Sequence, residues 1–215
     1  MVAIFVVLTI LALVGVDLAL HGRRRSLALQ PAASTASPVL PKGLFVSPGH
    51  AWVELQRSGL VRVGLDDFVR HALGGADQLV LKSTGEQIKK GEPLLTVVRD
   101  GHQLVLKAPV SGTIRASNAD LAARPGRLTA SAYGENWAYS IQPSRLGDEI
   151  AGLQVAERAA QWLNAELDRL ADWFACLAPA RPGLAMQDGG LPVSGALTQV
   201  DDAGWQGFQA HFLDC

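Results

Sequence analysis

The hydrophobic pattern changes period along the chain, and the changes mark its segments. Residues 1–22 begin MVAIFVVLTILALVGVDLAL, apolar except at Thr9, Gly15 and Asp17. Roughly 20 such residues span a bilayer's hydrocarbon core. No Lys or Arg precedes the run, whereas Arg23, Arg24 and Arg25 follow it. A secretory signal has its positive charge before the apolar region, so this order predicts an uncleaved transmembrane anchor over 1–22. The positive-inside rule places its amino terminus outside and the main domain in the cytoplasm, as in a single-pass protein of a bacterial inner membrane. Residues 23–42 follow with Pro31, Pro38 and Pro41 among Ala, Ser and Thr and no periodicity, which predicts a flexible linker.

From residue 43 to 147 short alternating runs take over. Val53-Glu54-Leu55 and Leu60 to Val63 read as half-buried strands joined by the turn Arg57-Ser58-Gly59. Asp66 to Leu73 reads as a short helix with Asp66 as N-cap and Gly74-Gly75 as the stop. Further strands are predicted at Leu79–Lys82, Pro93–Val98, Gln103–Lys107, Gly112–Ala116 and Trp137–Ile141. The pattern predicts a mainly β sandwich or flattened barrel. Its centre is Gly91 to Ile114, GEPLLTVVRDGHQLVLKAPVSGTI. Asp100-Gly101 lies between two apolar runs, the signature of a type I′ hairpin whose central residues need positive φ. Pro109 and Gly112 end the return strand.

Residues 148–178 switch to helical spacing. Ile150, Leu153, Ala156, Ala160, Leu163, Leu167, Leu170 and Phe174 form one apolar stripe, and Glu166 and Arg169 can pair on the outer face. Pro179, Pro182 and Gly183 end the helix. The remainder, 179–215, reads as an irregular extension carrying a short helix at Asp201–Leu213. Trp205, Phe208 and Phe212 line one side of that helix and are expected to pack on the chain's own domain.

With 215 residues and 48% hydrophobic composition the chain can bury one core of ordinary size. A formal net charge of −1 and five tryptophans without a stacking arrangement argue against a nucleic-acid partner. Cys176 and Cys215 are the only cysteines, expected as thiols in the cytoplasm. The histidines 21, 50, 71, 102 and 211 have no metal-ligand spacing, and no nucleophile–base pair or phosphate-binding glycine loop occurs, so neither catalysis nor a metal is expected.

GEPLLTV, a hairpin, then APVSGTI resembles the H protein of the glycine cleavage system, a lipoyl-carrier domain. FVSPGHAWVEL (Phe45–Leu55), VRVGLDDFVRHAL (Val61–Leu73), GEQIKKG (Gly85–Gly91) and YGENW (Tyr133–Trp137) extend the likeness over Gly43 to Leu153. It implies a lipoyl-carrier-like sandwich of two small sheets with the hairpin at one end, and a packing and hydrogen-bonding role for His50. The family carries lipoate on a lysine eight residues before the proline of Pro-Val-Ser-Gly, and that position is Gly101. The acidic residue three positions earlier becomes Val98. Arg99, Asp100 and His102 surround the glycine, His102 as a solvated side chain or as part of a contact surface. A lipoyl amide needs a primary amine, which an arginine guanidinium does not replace. Lys107 is the nearest alternative, at the base of the return strand; Lys89 and Lys90 read as solvated charges. The resemblance thus implies a carrier fold without lipoate, a non-enzymatic module that binds an unidentified protein partner through the tip residues Arg99, Asp100, Gly101 and His102. Two other readings stand beside it: a working carrier using an unexpected lysine, and an envelope efflux adaptor, which would need the domain outside the cytoplasm.

Overall fold

The structure, a computed structural model, describes residues 40–177 and 192–214. The anchor and most of the linker, residues 178–191 and Cys215 lie outside the described residues. Among the described residues no helix is long and apolar enough to cross a membrane.

The ten strands of the described residues form two antiparallel sheets. The chain runs β1 (Leu44–Val46), β2 (Ala51–Leu55), β3 (Val61–Leu65), helix α1 (Asp67–Leu73), β4 (Gln78–Leu81), β5 (Gln87–Ile88), β6 (Pro93–Arg99), β7 (His102–Lys107), β8 (Gly112–Ser117), α2 (Ala119–Ala123), β9 (Tyr139–Pro143), α3 (Leu146–Ile150), β10 (Gln154–Val155) and α4 (Ala156–Leu177). After residue 191 come α5 (Asp202–Phe208) and a π-helical continuation, Gln209–Leu213. One sheet has the order β10-β1-β2-β3-β9-β8-β5, the other β4-β6-β7. The expected two sheets are present, but the first is larger than expected, because β5, β8 and β9 continue the β1–β3 meander.

Alternation along the strands puts Val53, Val61, Val63, Val97, Leu104, Leu106, Ile114 and Ile141 into the core between the sheets. One hydroxyl ties the two sheets. Tyr139 on β9 donates to Leu94 O (2.8 Å) and accepts from Lys82 N (2.8 Å). Burial pushes its phenol up to about 12. The helix expected after Leu65 forms as read. Asp66 accepts from Val69 N, and Gly74 ends the helix at φ 69°.

The stretch 148–178 is not one helix. Gly152 and Leu153 make i→i−3 bonds, and then the backbone of β10 pairs with β1, Val155 opposite Phe45. Helix α4 starts only at Ala156, whose φ is 53°. Helical spacing reports which side chains face inward; it does not require a continuous backbone, and Gly152 weakens a helix where β1 offers an edge to cover. Glu166 also departs from the expected outer face. It pairs with Arg169 as read, yet it is buried against the body of the domain.

Gly112 is where the small-sheet loop enters the large sheet, and a Cβ there would stand 2.2 Å from Gln142 O. Gly112→Ala is therefore expected to lose about 1–3 kcal/mol, the usual cost of overpacking. Gly126→Ala, with open space at its Cβ, is expected to stay within about 0.5 kcal/mol of the parent. Urea midpoints of the two variants check this.

Candidate functional site

The β6–β7 hairpin ends in the two-residue turn Asp100-Gly101, with φ 50° and 81° and Arg99 opposite His102. This is the type I′ geometry that the Asp-Gly pair predicts. A Cβ at Gly101 would meet nothing within 4 Å, so the tip stands open at that point. None of the four tip residues carries a primary amine. Lys107 lies at the far end of β7, opposite Pro93, with its ammonium 3.2 Å from Asp214. Lys90 is less free than expected, because its Nζ lies 3.3 Å from Glu149 O.

The tip is held from two sides. Asp77, just before β4, accepts from Arg99 Nη1 (2.7 Å) and from Asp100 N (2.8 Å). The Asp100 amide, and then Arg99, hold its carboxyl below the usual range against some desolvation. On the other side His102 donates to Asp202 Oδ1 (2.8 Å), and its ring stacks on Trp205 at 4.6 Å with planes 2° apart. His102 is thus not a freely solvated turn residue. It packs against the chain's own C-terminal helix, because Trp205 needs apolar cover and the flat imidazole supplies it. Below it, Gln209 bonds β7 as a strand would. Val105 N donates to its Oε1 (2.9 Å), and its Nε2 donates to Val105 O (3.0 Å). Asp100, Gly101, His102, Trp205, Gln206 and Gln209 line a shallow groove beside the turn.

Tip residues 99–102 lie on the hairpin turn, and Asp77, Asp202, Trp205 and Gln209 complete their surroundings. These four were legible only in part. The apolar face containing Trp205 signalled packing, and nothing in the local spacing signalled which strand would receive it. Chemically, the tip offers carboxylates, amides and a fixed guanidinium. It can present shape and charge.

A second cluster lies inside the domain. His50, in the β1–β2 turn at φ 61°, is fully buried and stacked between Phe68 (3.9 Å) and Trp162 (4.9 Å). Its Nδ1 donates to Asp66 Oδ2 (2.8 Å), in keeping with the packing and hydrogen-bonding role expected for it. Its Nε2 has no hydrogen-bond partner and faces Glu166 Oε2 at 3.8 Å, an ion-pair distance. Burial alone would lower the imidazole's proton affinity, but the two carboxylates outweigh it and the net displacement is upward. Arg169 grips Glu166 at 2.6 and 2.7 Å and donates to His211 O at 3.1 Å. The other described histidines are engaged: His71 Nε2 with Pro192 O and His211 Nδ1 with Gly207 O. Among the described residues no three His, Cys, Asp or Glu side chains group as metal ligands, and Cys176 is an exposed thiol on α4.

Comparison with known proteins joins this geometry to a family. The model of the family described as glycine cleavage H-protein matches residues 44–166. A probable glycine cleavage system H protein of Pyrococcus abyssi is 32% identical over 123 residues, which cover 57% of this chain and 91% of that protein. The glycine cleavage system H protein of Methylococcus capsulatus is 34% identical over 109 residues, 51% of this chain and 85% of its own length. The crystal structure of a glycine cleavage system H protein from Mycobacterium marinum aligns with TM-score 0.51 and 26% identity, covering 59% of this chain and 99% of that one. The matched span holds both sheets, the hairpin and the first half of α4, so the chain belongs to the glycine cleavage H-protein family.

Proposed function

We propose that this chain is an H-protein-like module that carries no lipoate, is held at a membrane by residues 1–22, and acts by binding a protein partner through its hairpin tip. The observation that carries the reading is the turn itself. The residue at the position where the family's pattern places its lipoyl lysine is Gly101, which has no side chain to acylate. The nearest amine on the hairpin, that of Lys107, is paired with Asp214 and sits along a strand instead of on a turn. An H protein is a non-catalytic carrier, and the tip chemistry here agrees with a role without catalysis. A rigid tip favours recognition, since Asp77 and Trp205 fix Arg99, Asp100 and His102 before any partner arrives.

Intact-mass measurement after co-expression with a lipoate-attaching enzyme tests the reading. The parent chain is expected at its unmodified mass. Gly101→Lys restores an amine into open space at a cost of about 1–2 kcal/mol for a side chain at positive φ, which a folded domain tolerates. It is expected to accept lipoate in part, and Val98→Glu in addition is expected to raise the yield. A lipoyl adduct on the parent chain, at Lys107 or elsewhere, overturns the proposal.

The membrane part has its own test. The full chain is expected to stay with membranes in high salt and to be released by detergent, because hydrophobic insertion is insensitive to the screening that removes surface-bound proteins. A reporter active only in the cytoplasm, fused after Cys215, is expected to work. Recovery of the full chain in the soluble fraction overturns the anchor, and activity of a periplasm-only reporter overturns the orientation.

A further inference from the structure

We infer that the chain running from buried His50 and Glu166 to the exposed Arg169 is a proton-controlled clasp that fastens the C-terminal segment, and with it the outer wall of the hairpin tip, onto the domain. The geometry sets the requirement. Two carboxylates flank one imidazole, Asp66 at Nδ1 and Glu166 at Nε2. A neutral imidazole carries one N–H. Given to Asp66, it leaves a lone pair of Nε2 facing the Glu166 carboxylate inside the protein. The imidazolium carries two N–H groups and answers both carboxylates. Charge follows the same line. Asp66 and Glu166 are balanced by His50 and Arg169 only while the ring is protonated.

The groups around the ring are few and can be named. From α1 and its N-cap come the Asp67–Arg70 pair and the Asp66 carboxylate. The loop before β9 contributes the Tyr133 hydroxyl, which accepts from Asp67 N and whose ionisation burial pushes out of reach. Helix α4 contributes Glu166 and Arg169, and the π-helical segment contributes the His211 carbonyl. Phe68 and Trp162 close the two ring faces. Arg169 connects the clasp to the tip wall. It bonds Glu166, donates to His211 O, and lies over the Phe212 ring at 5.1 Å. His211 and Phe212 belong to the segment whose Gln209 grips Val105 and whose helix α5 presents Trp205 and Asp202 to His102.

The sign follows from the upward displacement of His50. Its contribution is complete below the ordinary value of 6.5 and disappears as pH rises through the higher folded value. The Glu166 carboxyl is displaced downward, because His50 and then Arg169 outweigh its desolvation. Its contribution is therefore present near neutrality and is lost only on acidification. The clasp thus opens as pH rises above the ordinary imidazole value, releasing a proton to solvent.

Hydrogen exchange of the full chain, read by mass spectrometry from pH 6 to 9 and corrected for the intrinsic pH dependence of exchange, tests this. Peptides covering residues 202–214 and Val105 are expected to lose protection progressively as pH rises, with a slope of at most about tenfold per pH unit, the limit for one linked proton. Amides of β2 and β3 are expected to hold theirs. Glu166→Gln removes one carboxylate without changing shape and is expected to flatten the profile, whereas Arg169→Lys is expected to keep it. His50→Gln, if it folds, is expected to be open and pH-independent. A flat profile in the parent, an unchanged profile in Glu166→Gln, or simultaneous loss across β2 and β3 overturns the inference. Lipoylation is read by mass and the clasp by exchange, so each result stands without the other.

Discussion

A buried carboxylate with three demands upon it organises the domain. Asp66 is fully buried; one oxygen caps α1 at Val69 N (3.1 Å), the other accepts from His50 (2.8 Å), and its own amide donates to His50 O (3.0 Å). An unpaired charge in such a place costs several kcal/mol, so each partner is required and not optional. The cap fixes where α1 starts, and hence that Phe68, Val69, Ala72 and Leu73 face the core. The bond to His50 holds a non-glycine residue at positive φ and keeps its ring flat against Phe68. Phe68 in turn stacks with Phe208 and meets Phe212 at a tilt, so the seat of the C-terminal segment is set from the same carboxylate.

The chain thus has two layers of different kinds. The family match ends at residue 166, within α4. The chain beyond that residue adds Trp173, Phe174, Phe208 and Phe212, an aromatic group packed on Phe68. Aromatic edges and faces meet at ring-centroid distances near 5–6 Å, which favours defined geometry over a loose apolar contact. The extension therefore reads as an integral layer on α1 and β7. Gly207 fits this, since a Cβ there would come into contact with the Trp173 ring at 3.4 Å.

Much of the body was legible in the sequence, because local chemistry decided it. Asp100-Gly101 dictated its turn, Asp66 and Gly74 bounded their helix, and β-branched alternation marked the strands. The misreadings share a cause. Ile150 and Leu153 have helical spacing, yet their segment turns to cover β1, a demand placed by a strand about a hundred residues earlier. Glu166 and Arg169 were visible as a pair, but the facing of Glu166 toward His50 depends on how α4 lies on the body. His102 on Trp205, and Gln209 on Val105, join positions about a hundred residues apart. Such contacts leave no trace in spacing, since they satisfy groups that local structure leaves open.

Gln209 also guards an edge. Strand β7 lies at the border of its sheet, and edges recruit other strands. A single carboxamide occupies both the amide and the carbonyl of Val105, while Asp214 and Asp202 set charges at the strand's two ends. Proteolytic trimming after α4 would leave the β7 backbone unguarded at Val105. The truncated product would then be a template for chain-to-chain strand growth and aggregation.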